Sequence, residues 1–126
     1  MNKSVKELLE EFTSQNVIAD DFQLHILKVK IDENGEIEEA GNALTVTKIE
    51  FDHQSKECLL HYEEGSSHYV TVADAKAEMT DDVLTYEVCA AQIEEREDAF
   101  VRLDTPLIGF GENVDIKCFF AICQQH

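Results

Sequence analysis

A chain of 126 residues, 44% apolar, sets 10 Lys+Arg against 27 Asp+Glu, for a net charge of −17 and a pI near 4.4. The length suits one domain, residues 1–126, with enough apolar content for a core that needs no metal or disulfide staple. Acid excess on this scale repels phosphate backbones and anionic lipid; it argues against direct nucleic-acid or membrane binding and favours basic partners.

The charge is dispersed. Residues 1–63 carry 6 basic and 14 acidic side chains, and residues 64–126 carry 4 and 13. The negative field is therefore expected over the folded surface, where its plainest effect is solubility. Met1–Glu11 is charged and has no continuous apolar run, so no export signal is expected. A cytoplasmic location follows, and with it four reduced, buried thiols at Cys58, Cys89, Cys118 and Cys123.

Ser4-Val5-Lys6-Glu7 reads as a capping box. Val5, Leu8, Leu9 and Phe12 follow at i, i+3, i+4 and i+7, one face of a helix over residues 4–15, with Asn16 suited to its left-handed cap. The apolar stripe has to cover something, most simply a sheet.

Phe22–Ile31 reads as a strand with a change of phase near Ile26, the signature of a bulge. Asp32-Glu33-Asn34-Gly35 is a hairpin turn, Glu36–Glu39 begins the return, and Ala40-Gly41-Asn42 is expected to interrupt it. Leu44–Phe51 is the next strand, with a second phase change near Lys48. Glu57–Tyr62 and His68–Val72 complete an antiparallel meander. Thr71-Val72-Ala73-Asp74 fits a second capping box, with a short helix over Ala73–Met79. Val83–Ile93 is a long strand. Glu94–Asp98 is a solvated turn, Ala99–Leu103 returns, and Asp104-Thr105-Pro106 with Gly109–Asn113 brackets a loop. The last strand, Val114–Cys123, is apolar on both faces and is expected at the centre of the sheet.

The expected fold is α+β: an N-terminal helix packed on a strongly curved, mostly antiparallel sheet of about seven or eight strands, with barrel-like closure open.

No motif demands catalysis. Gly-x-Ser-x-Gly, Cys-x-x-Cys and glycine-rich phosphate loops are all missing, which points away from an enzyme. No cofactor is implied. Asp32–Glu36 fails calcium-loop spacing, because Ile37 stands where that loop needs glycine. His53, Cys58, His61 and His68 come nearest to a metal set, but Cys58 and His61 project to opposite faces of one strand, so no metal site is assigned. Cys123 lies near His126, a weak pairing at the chain end.

Two functions remain. The first is a small, non-enzymatic interaction protein that binds a basic protein surface, of inhibitor, immunity or chaperone type. Its contacts would be Glu36, Glu38, Glu39, Glu94, Glu95, Glu97 and Asp98, with Phe110 as an apolar anchor in its loop. The alternative is a small-molecule-binding cupped sheet or barrel, lidded by the N-terminal helix and lined by Tyr62, Tyr69, Thr85 and Glu87. Homodimer formation through a sheet edge stays open.

Overall fold

The computed structural model describes residues 3–14 and 17–125, with Arg96 described as backbone only. It contains helix α1 (Val5–Ser14), strands β1 (Gln23–Ile31), β2 (Ile37–Asp52) and β3 (Glu57–Glu63), helix α2 (Val72–Glu78), and strands β4 (Glu87–Arg96), β5 (Ala99–Asn113) and β6 (Cys118–Gln124). A single 3₁₀ turn, Asp81–Val83, follows α2. The six strands close into a ring in chain order. Four pairings are antiparallel, and two are parallel, β3 with β4 and β6 with β1.

Local chemistry sets the helices. Ser4 Oγ accepts from the Glu7 amide at 3.3 Å, and the Ser4 amide donates to Glu7 Oε1 at 3.2 Å. Thr71 and Asp74 make the same reciprocal cap before α2. The Gln15–Asn16 end expected of the first helix lies outside the described residues. Val5, Leu8 and Phe12 are the buried stripe of α1. Phe12 meets Phe119 edge-on, with ring centroids 4.9 Å apart, so the helix covers one end of the ring.

Two long strands organise the sheet, and each changes partner along its length. β2 (16 residues) pairs with β1 through Thr45 and with β3 from there on. β5 (15 residues) pairs with β4 through Pro106 and with β6 from Leu107. The ring is thus two similar three-strand units, β1–β2–β3 and β4–β5–β6, joined by the parallel pairs. The C-terminal ends of β1, β3, β4 and β6 all lie at one end, the upper end.

Interior and exterior alternate as the pleat requires. Leu24 and Ile26 of β1, Cys58, Leu60 and Tyr62 of β3, and Phe119, Ala121 and Cys123 of β6 belong to one core. Leu59, Cys89 and Ala91 form a second, smaller cluster on the outer face of β3 and β4. Both expected phase changes coincide with register slips. One lies between Leu27 and Val29 of β1, the other between Val46 and Lys48 of β2.

Where the strands diverge at the lower end, the chain fills the gaps itself. Between β1 and β2, the Val70 carbonyl accepts from Leu24 (2.8 Å), and the Val70 amide donates to the Val46 carbonyl (3.1 Å). Beside β4, the Val88 amide donates to the Lys3 carbonyl (2.8 Å), and the Val5 amide to the Tyr86 carbonyl (2.9 Å). These extended segments satisfy backbone groups that a parted sheet would leave bare.

Several expectations are corrected. The strands number six, not seven or eight. Ala40-Gly41-Asn42 does not interrupt β2; it absorbs a bulge in which β2 advances three residues (Ala40 to Ala43) while β1 advances two. His68–Val72 is not a strand; it meets β1 at the isolated Gln23–Thr71 bridge and the Leu24–Val70 hydrogen bond. Val83 lies in the 3₁₀ turn, so β4 starts at Glu87. Asp104–Pro106 and Gly109–Asn113 run inside β5. Pro106 is tolerated because β5 is still paired on one side only at that point. Val114–Lys117 is a turn, and Cys118–Gln124 is flanked by β5 and β1 rather than lying at an edge.

One titration follows from the packing. His25, on β1 near the ring of Phe120 (6.2 Å), has its pKa held below 6.5 by burial, against an opposing backbone interaction at Leu44. The unfolded chain therefore takes up this proton first, so the contribution to stability is complete above about pH 6.5 and is lost as pH falls through the folded value. Urea unfolding between about pH 7 and 5 is expected to show a steeper loss of stability for the native protein than for His25→Gln. Parallel curves would contradict this.

Candidate functional site

The upper end of the ring carries two projecting hairpins. β1–β2 turns at residues 32–36, where Gly35 takes φ +81° and Asp32 Oδ1 accepts from the amides of Asn34 (2.9 Å) and Glu36 (3.0 Å). β4–β5 turns at Glu97 and Asp98, with Glu97 at φ 49°. Residues 33–43 and 97–100 are exposed throughout. Each hairpin rises past its neighbour as a two-stranded ribbon, because β3 stops pairing at His61–Ala91 and β6 at Val29–Gln124. In the ring order the ribbons stand on opposite sides of the mouth.

This topology brings the acidic candidates to one end. Glu36, Glu38 and Glu39 are exposed on the first ribbon, where Lys30 pairs with Glu39 at 3.6 Å. Glu94, Glu95, Glu97 and Asp98 are exposed on the second. Residues 40–93 separate the groups in sequence; only the ring closure reveals them as flanks of one mouth.

The same ribbons expose apolar side chains. Phe100 is 76% exposed, Ile37 58% and Ile93 56%. Paired residues share a face, so Ile93 and Phe100 lie diagonally together on the outer face of the second ribbon, beside Glu95 and Arg102. Sequence reading chose Phe110 as the exposed anchor. It is instead half-buried in β5, 5.8 Å from Phe119 and under the Lys3 ammonium at 5.9 Å. The glycines beside it suggested a loop, but pairing with β6 runs straight through Gly109–Gly111. Phe100 was missed, although it sits within the acidic stretch Glu94–Asp104.

Between the ribbons, above the end of β6, lies a cleft of about 530 Å³. Gln124 and Gln125 form its floor, β5 residues Arg102–Thr105 one wall and Lys28 of β1 the other. Tyr62 and Gln92 close the back, and the Tyr62 hydroxyl donates to Gln92 Oε1 at 3.3 Å. The Lys28 ammonium sits over the Tyr62 ring at 5.0 Å. Arg102 is tied to Asp104 (3.1 Å) and Asp52 (3.5 Å).

The four residues expected to line a ligand cavity are dispersed. Tyr62 reaches the cleft. Tyr69 is 53% exposed ahead of α2, Thr85 lies in the exposed turn before β4, and Glu87 starts β4 at the lower end, opposite Glu57. Helix α1 packs at that lower end too, far from the cleft it was expected to lid.

Glu87 belongs to another arrangement. Cys89 Sγ donates to Glu57 Oε2 and Glu87 Oε1, each at 3.5 Å. Among the described residues this is the one group of three metal-capable side chains, with donor atoms within 4.8 Å of one another. The pairing of β3 with β4 creates it across thirty residues, so no local spacing announces it. His61 and Cys58 do face opposite ways: Cys58 is in the main core, and His61 bonds Glu50 at 3.0 Å. His53 Nδ1 lies 2.7 Å from the Tyr86 hydroxyl. His126 lies outside the described residues.

The thiols are free and buried. Burial pushes Cys58 up to about 12. Cys89 is raised by burial and by the carboxylates of Glu87 and Glu57. Burial also raises Cys118, and Cys123 against the opposing Lys28 charge. None is poised as a thiolate nucleophile. Labelling of the folded protein with a thiol-specific disulfide reagent near pH 8 is expected to be slow, with all four thiols reacting promptly in denaturant. Prompt reaction of one thiol in the folded state would contradict this.

Among the described residues, no helix is long and apolar enough to cross a membrane. Compared with known proteins, no family model matches the chain, and no curated protein or solved structure matches it.

Proposed function

We propose that this chain is a non-enzymatic interaction protein whose upper end binds a basic surface of another protein, in the manner of an inhibitor, immunity protein or chaperone. The observation that carries this reading is the convergence of two acidic ribbons on one mouth. Asp32, Glu33, Glu36, Glu38 and Glu39 are carried by one ribbon; Glu94, Glu95, Glu97 and Asp98 are carried by the other. A net charge of −17 adds long-range steering to this local focus. The exposed Phe100, Ile93 and Ile37 supply what a purely solubilising surface lacks, which is apolar area to desolvate on contact.

The small-molecule reading has one feature in its favour, the cleft of about 530 Å³, which falls within the usual size of ligand sites. Its walls are mainly polar, and a strand edge forms one of them, so it fits a peptide better than a compact apolar ligand.

The test is capture from a lysate on the immobilised native protein at about 50 mM and about 500 mM salt, because screening shortens from roughly 14 Å to roughly 4 Å across that range. Basic proteins are expected to be retained at low salt and released at high salt. Retention that ignores salt, or that selects acidic proteins, would count against the reading.

A further inference from the structure

We infer that Glu57, Glu87 and Cys89 form a binding site for a divalent cation of zinc type on the outer face of β3 and β4. The site lies at the lower end, away from the mouth, and does not depend on the protein-binding reading.

Topology makes the site. β3 and β4 run parallel, with Glu57 opposite Glu87 and Leu59 opposite Cys89. Opposed residues of neighbouring strands share a face, and so do residues two apart along one strand. Two carboxylates and a thiol therefore project together. Like charges directly opposite one another on a sheet are destabilising. A cation joining them would relieve this, but the nearby cationic side chains are engaged elsewhere. Lys56 Nζ lies over the Tyr86 ring at 5.5 Å, Lys3 pairs with Glu7 at 3.6 Å, and Arg102 holds Asp52 and Asp104. Among the described residues, neither Glu57 nor Glu87 takes part in a salt bridge.

The thiol adds a second, independent argument. Cys89 is only 1% exposed, yet its Sγ reaches both Glu57 Oε2 and Glu87 Oε1 at 3.5 Å. It carries one proton and can donate to only one carboxylate at a time. The other contact sets lone pair against lone pair. A divalent ion removes that conflict, and the spacing suits one. Tetrahedral bonds of about 2.3 Å to sulfur and about 2.0 Å to oxygen place sulfur and oxygen about 3.5 Å apart. All three donor atoms lie within 4.8 Å of one another. The two carboxylates are half-buried and need only side-chain rotation to converge.

The support is rigid. The Glu87 amide donates to the Lys56 carbonyl at 3.1 Å, and the Val88 amide to the Lys3 carbonyl at 2.8 Å. Leu59 and Ala91, both buried, flank Cys89 and keep its surroundings apolar. One sulfur with two oxygens suits zinc better than calcium or magnesium, which take oxygen ligands. Three protein ligands leave the fourth position to water. On binding, the thiol proton passes to solvent and the thiolate takes its place on the ion.

The experiment titrates the full, reduced chain with Co²⁺ alone and then with Zn²⁺. One equivalent of Co²⁺ is expected to produce a sulfur-to-cobalt charge-transfer band, which Zn²⁺ then abolishes. Zn²⁺ should also raise the midpoint of thermal unfolding. Cys89→Ser should remove the band. Because that change alters a buried group, Glu57→Gln and Glu87→Gln provide a second arm that leaves the core untouched. Each should weaken Zn²⁺ binding at least about tenfold, the lower end of what losing even an outer-shell partner costs. Without metal, the double glutamine variant should be at least as stable as the native protein, since it lacks the opposed charges. Absence of the sulfur band overturns the site, as does a band that persists in Cys89→Ser. Undiminished Zn²⁺ affinity in the double glutamine variant, or Ca²⁺ competing as well as Zn²⁺, overturns it too.

Discussion

Phe119→Ala is expected to cost about 3–5 kcal/mol of folding stability, the largest single-residue loss in the protein, because a cavity replaces a fully buried ring. Phe119 is 0% exposed and joins three elements: it lies on β6, meets Phe12 of α1 edge-on at 4.9 Å, and stands 5.8 Å from Phe110 of β5. Loss of the ring removes the contact that seats α1 on the lower end. Against a typical total of about 5–15 kcal/mol, this is a large fraction. Urea unfolding provides the check, with Phe120→Ala as the reference. Phe120 follows in sequence but faces outward and is only partly buried, so its replacement is expected to cost less than half as much. Equal losses would mean that the alternation of interior and exterior on β6 is wrong.

The second large effect concerns the ribbons. Replacing Glu36, Glu38, Glu39, Glu95, Glu97 and Asp98 together by lysine changes the net charge from −17 by twelve units, to −5, and inverts the sign of both rims. These side chains are exposed, so the folded state should survive with little change. Association with a basic partner should slow by roughly 10²-fold or more, since steering alone spans about 10–10³ in rate. Three lysines placed on one ribbon should produce an intermediate loss. A six-lysine variant that still unfolds cooperatively yet binds at the native rate would show that the mouth is not the interface.

Parts of this architecture were legible in the sequence and parts were not. Both helices announced themselves through reciprocal capping boxes, Ser4 with Glu7 and Thr71 with Asp74, because capping depends on residues three apart. The hairpin at Asn34-Gly35 and the acidic turn at Glu97-Asp98 were legible for the same local reason. The parallel pairings were not. β1 meets β6 across roughly ninety-five residues, as in Gln23 with Cys118, and no local pattern encodes such a contact. The partner changes in β2 and β5 misled for a physical reason. Where a strand leaves one neighbour for another it bends, and the residues that ease the bend, Gly41 in β2 and Pro106 and Gly109 in β5, resemble the residues of turns. The acidic residues of the candidate face are exposed, but their convergence was invisible until the ring brought two distant hairpins to one end. Phe110 was chosen on its flanking glycines; Phe100, ten residues earlier, is the more exposed ring at 76%.

The most direct measurement is the association rate constant with a captured basic partner as a function of ionic strength, for the native protein and the six-lysine variant. The native rate is expected to fall steeply with salt, and the variant rate to be slow and nearly flat. Rates that coincide at every ionic strength would contradict it.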